Sequence, residues 1–152
     1  MRNRGASTAL GYVLTLGITL VLVVSLLSVA VSIVETERSR AVNSELSVLG
    51  NRLATELTMG DSLVRAADDP RTVSLTTELP ERVARGQYRI QIDEQATTGA
   101  FARYTIILKS DVAETSVAVD LKTGTAIEET TVSGGSVVIE YDQSSDTLIV
   151  NP

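Results

Sequence analysis

The sequence predicts an α+β protein: a long N-terminal α-helix, first transmembrane and then amphipathic, followed by an antiparallel β-sheet or sandwich domain. Three observations predict it. No residue from Ala6 to Val34 is charged. Apolar residues then recur at helical spacing as far as Leu57. After Pro70 the pattern switches to period two, in β-branched runs separated by turn residues.

The uncharged run comes first. Its 29 residues make a helix about 43 Å long at 1.5 Å per residue, against a bilayer core about 30 Å thick. Arg2 and Arg4 precede the run, whereas Glu35, Glu37, Arg38 and Arg40 follow it. The positive-inside rule places the N-terminus in the cytoplasm and the C-terminal part outside. Ser28-Val29-Ala30 has the small-x-small form of a secretory cleavage site. The apolar stretch before it exceeds a usual signal core and continues past it. Within the run Ser7, Gly11, Thr15 and Thr19 repeat every four residues, and Ser25, Ser28 and Ser32 extend a small polar face. In lipid such faces let helices approach closely. The alternative is that each hydroxyl bonds back to its own helix.

Residues 35–69 are expected to continue the helix. Val42, Leu46, Leu49, Leu53 and Leu57 lie on one face, spaced by four, three, four and four. Gly50 and Gly60 each weaken a helix by about 1 kcal/mol relative to Ala. Asp68-Asp69-Pro70 marks the stop, because the residue before Pro leaves the α region. The apolar stripe must pack on the chain's own β domain or on a neighbouring subunit.

Strands are expected at Thr72 to Thr77, Gln87 to Asp93, Arg103 to Lys109, Thr115 to Leu121, Ser136 to Asp142 and Thr147 to Val150. Thr98-Gly99, Thr123-Gly124, Gly134-Gly135 and Ser144-Ser145-Asp146 supply the turns. With no helical stretch between them, residues 70–152 read as a sheet, sandwich or small barrel. A single sheet could cover its apolar face with the helix stripe.

Composition removes several functions. The 152 residues hold no Cys and no His, so there is no disulfide, no thiolate and no ordinary triad. The net charge is −6, and without Arg2 and Arg4 there remain 11 basic against 19 acidic residues. That balance disfavours nucleic acid. Asp68-Asp69, Asp93-Glu94 and Glu128-Glu129 are adjacent pairs, which on a strand point to opposite faces. No EF-hand spacing or phosphate loop is present, so no metal, cofactor or enzymatic activity is expected. No Asn-x-Ser/Thr site for glycosylation occurs.

The segment RGASTALGYVLTLGITLVLVV resembles the N-terminus of archaeal type IV pilin-like proteins. Members, mostly halophilic, often read R-(A/G)-x-S-P-x-x-G at this junction. Arg4, Gly5, Ala6, Ser7 and Gly11 match, and Thr8 stands where Pro is usual. Leu10 stands where bacterial pilins carry a Glu, a residue that archaeal subunits commonly lack. The resemblance covers residues 4–34 and implies a leader of residues 1–5, cut by a prepilin peptidase between Gly5 and Ala6. It further implies an assembly helix over residues 6–34. That helix would rest in membrane lipid and then pack against other copies or other pilins in a cell-surface filament serving adhesion. Archaellins share this logic. The competing expectation is a single-pass anchor whose extracellular β domain binds an envelope partner without polymerising.

Overall fold

The computed structural model describes residues 3–67, 73–112 and 115–152, with side chains from residue 9 onward. It contains α1 (Asn3–Ala66), β1 (Ser74–Glu78), β2 (Tyr88–Thr98), β3 (Phe101–Ser110), β4 (Ser116–Thr123), β5 (Ala126–Ile127), β6 (Thr130–Ser133), β7 (Ser136–Asp142) and β8 (Thr147–Asn151). Residues 1–38 and residues 39–152 form separate compact units. The expected helix stop at Asp68, Asp69 and Pro70, and the expected strand start at Thr72, lie outside the described residues.

In the second unit the strands form two sheets rather than one. Their orders are β1-β7-β8-β5 and β4-β3-β2-β6. Most pairs are antiparallel, but β5 lies parallel to β8. The six expected strands are present with shifted ends. β2 and β3 form one long hairpin that closes at Gly99, whose φ of +64° suits glycine. β5 and β6 were not expected. β5 has only two residues, and β6 follows the Glu128-Glu129 pair.

The stripe is the centre of the core. Val42, Leu46, Leu49, Leu53 and Leu57 are all buried, and Val64 extends the series. They form one cluster with Ile90, Ile106 and Leu108 of one sheet and Val137, Ile139 and Leu148 of the other. Gly50 and Gly60, in the second half of the helix, have a purpose that propensity alone conceals. A Cβ at Gly50 would lie 2.9 Å from Leu108 and Val119 side-chain methyls, so any larger residue would force those side chains to shift. Gly60 faces Leu75 and Leu148 of the other sheet. The helix therefore touches both sheets.

Polar links complete the packing. Asp61, buried on α1, accepts hydrogen bonds from the Gly124 and Thr125 N–H groups at 3.1 and 2.6 Å. This ties the last turns of the helix to the β4–β5 connection. The Ile127 N–H donates to the buried Tyr104 hydroxyl at 2.9 Å, joining β5 of one sheet to β3 of the other. Burial raises the Tyr104 pKa, opposed by that N–H.

The Tyr88 hydroxyl donates to the Pro80 carbonyl at 2.8 Å. Burial, helped by the Glu45 charge, pushes its pKa from 10.0 up to about 12. The folded state thus disfavours phenolate. Its contribution is whole below pH 10 and disappears as pH rises towards about 12. Alkaline unfolding of the detergent-solubilised chain, followed by circular dichroism, is expected to steepen in that window. Tyr88→Phe should flatten it there. An unchanged pH profile in the variant would show that another group governs alkaline loss.

Candidate functional site

The second unit has its own core, so the chemistry left to explain is mostly that of the first. Every apolar side chain from Leu10 to Val34 is exposed, and the helix has a mean hydropathy of 2.7 over its best window. Among the described residues it is the one helix long and apolar enough to cross a membrane. Exposed apolar surface on this scale requires lipid or protein around it.

The small polar face is internally satisfied. Thr15 donates to the Gly11 carbonyl at 2.9 Å, Thr19 to Thr15 at 2.8 Å, Ser25 to Val21 at 2.8 Å and Ser28 to Val24 at 3.0 Å. Ser32 donates to Val29 at 2.8 Å. Each hydroxyl turns inward and leaves a small carbon surface outside. Gly11 has open space around it. The leader residues Arg4, Gly5 and Ala6 and the packing residue Ser7 lie in α1, and their side chains fall outside the described residues.

Sequence reasoning missed Gly17. It sits in a notch of about 500 Å³ lined by Val13, Leu14, Ile18, Val21 and Leu22. Leu14, Gly17, Ile18 and Val21 stand at i, i+3, i+4 and i+7, the four positions that form a hole for a facing side chain. The signal was available as a glycine isolated in an apolar run, where it costs about 1 kcal/mol against Ala.

Elsewhere the described carboxylates form no metal-holding group: no three His, Cys, Asp or Glu among the described residues could hold a metal. Glu129, in the β5–β6 connection, accepts from the Glu94 N–H of β2 at 2.9 Å, which is a structural bond. Asp142 accepts from the Ser144 hydroxyl and N–H and the Ser145 hydroxyl, closing the β7–β8 turn. Those bonds hold its pKa below the ordinary value, that of the Ser144 hydroxyl foremost.

The surface also carries a basic cluster. Lys122 Nζ lies 4.5 Å and Arg65 Cζ 5.5 Å from the Phe101 ring centre. Arg103 stands directly opposite Lys122 in the β3–β4 register.

Fold and surface together define a class: a β domain built around the second half of a long helix whose first half is apolar and exposed. The chain belongs to the family described as "Family of unknown function (DUF7266)", which matches residues 1–151. No curated protein and no solved structure matches it.

Proposed function

We propose that the chain is a structural subunit, major or minor, of an archaeal type IV pilus-like surface filament. It assembles through its N-terminal apolar helix and serves adhesion. The observation that carries this reading is the exposed helix surface from Leu10 to Val34, interrupted by the Gly17 notch. A tether needs hydrophobic length alone. A notch with the spacing of a knob-accepting hole suits a second helix. In this reading residues 1–5 are a leader cut by a prepilin peptidase, and lipid holds the helix until other copies or other pilins replace it. The β domain faces the outside, by the flanking charges. No catalytic residue has a role.

The second reading, a single-pass anchor with an extracellular binding domain, is favoured by the inward-bonded hydroxyls of Thr15, Thr19 and Ser25. The mature N-terminal residue separates the two. It is to be determined for protein from isolated membranes and from the sheared extracellular fraction. Ala6 as first residue, in sheared material, is the expected result. An intact Met1, or a start near Val31, overturns the filament reading.

A further inference from the structure

β4 is an open edge of its sheet, paired with β3 on one side only. Its register with β3 runs unbroken from Ser116 to Thr123, and it contains no proline. Proteins usually blunt such edges, because their free N–H and C=O groups accept another strand. Here a groove of about 610 Å³ runs beside it, between β4 and α1, lined among others by Asn51, Thr55, Met59, Val119, Leu121 and Lys122. The helix wall offers no spare donors: Thr55, Thr58 and Ser62 each donate to a carbonyl one turn back, at 2.7 to 2.8 Å. The hydrogen-bonding capacity left along the groove belongs to β4, to its backbone and to the Asp120 and Lys122 side chains.

The C-terminal end of this edge is positively charged. Lys122 and Arg65 lie over Phe101, which holds them in place. Arg103 faces Lys122 across the strands. Like charges directly opposite destabilise a sheet. Neither Arg103 nor Lys122 has an ion pair among the described residues. An incoming strand that places a carboxylate there relieves this repulsion.

The chain itself carries a matching strand. β1 is an edge of the other sheet, paired only with β7. Ser74, Thr76 and Glu78 face outward along it, while Thr77 turns into the core and Leu75 packs half-buried against it. β4 has the same parity, with Ala118, Asp120 and Lys122 outward and Leu121 inward.

We propose that β4 of one copy receives the β1 edge of a second copy, in parallel, with Glu78 beside Lys122. That register sets Ser74 beside Ala118 and Thr76 beside Asp120. Asp120 already accepts from Thr105 at 2.8 Å through one oxygen, and the other can take the incoming Thr76 hydroxyl. Because β1 and β4 are different surfaces, the contact is head-to-tail, and such a contact propagates from copy to copy wherever the rotation between copies does not close a ring. The proposal rests on the self-assembly reading and supplies its second contact, outside the apolar helix.

The chain has no cysteine, so introduced ones report without background. Neighbouring strands lie about 4.8 Å apart, within disulfide reach. The full-length chain carrying Ser74→Cys and Ala118→Cys is to be oxidised mildly in sheared filaments and in membranes, then run without reductant. The expected result is a ladder of dimers and higher species, with monomer alone from each single variant. Lys122→Glu should cut the ladder about tenfold, and Glu78→Lys in the same chain should restore it. Sheared filaments containing the double variant but giving no ladder would overturn the edge contact and leave the assembly reading standing. A chain found only as membrane monomer would overturn both. A ladder indifferent to Lys122→Glu would overturn the register.

Discussion

Leu53→Asp is expected to leave the chain without a folded β domain. Leu53 has no exposed surface and lies mid-stripe in the one cluster that includes residues of both sheets. Removing its side chain alone costs about 2 to 5 kcal/mol. The aspartate then adds a carboxylate among leucines and isoleucines, with no residue of opposite charge in that cluster. Burying an unpaired charge costs several kcal/mol more. The sum is comparable to the whole stability of an ordinary domain, about 5 to 15 kcal/mol. Leu53→Met keeps volume and apolarity and should cost less than about 1.5 kcal/mol. Limited proteolysis of the detergent-solubilised full chain distinguishes them. The Met variant should yield the protected fragment of the native chain, and the Asp variant should be digested through residues 39–152. A protected Asp variant would contradict the stripe as core. Leu49→Asp should behave similarly, since Leu49 is buried in the same cluster.

What the sequence revealed and what it hid divide along the range of the interactions concerned. The stripe was legible because helical spacing is local: five residues from Val42 to Leu57 define one face whatever they pack on. The long strands were legible for the same reason, by alternation at Tyr88, Ile90 and Ile92. β5 was not, because its two residues acquire strand geometry only from β8 and from the Tyr104 hydroxyl. Asp61 lies beyond the five apolar residues of that stripe, and no reading of it was available from the sequence. Its burial follows from two N–H groups more than sixty residues further along the chain. Gly50 read as a local weakness because propensity is local, whereas its value is the close approach of Leu108 and Val119. The choice between one sheet and the two of a sandwich stayed open for a related reason. Alternation reports which face of a strand is buried, and a helix between sheets buries one face of each as well as a single sheet would.

Gly17→Leu is expected to abolish filament assembly while leaving membrane insertion intact. The substitution is favourable for everything the helix does alone. Leucine is a better helix former than glycine by most of about 1 kcal/mol, and it adds apolar surface to a segment already apolar enough to span. A Cβ at Gly17 meets nothing within 4 Å in the isolated chain, so no internal clash arises. Any loss must then come from a second body that occupies the notch between Leu14, Ile18 and Val21. Overfilling a packed site costs about 1 to 3 kcal/mol, which is on the order of tenfold to a hundredfold in association at each contact. The measurement is the ratio of chain in the sheared extracellular fraction to chain in membranes, for the native protein and the variant. The expected ratio falls at least tenfold with the membrane pool undiminished. Gly17→Ala, which fills the notch by one carbon, should fall in between. A Gly17→Leu chain that shears off as efficiently as the native one would mean that no helix enters this notch. The anchor reading predicts that silence, since lipid tails adjust to a leucine as readily as to a glycine.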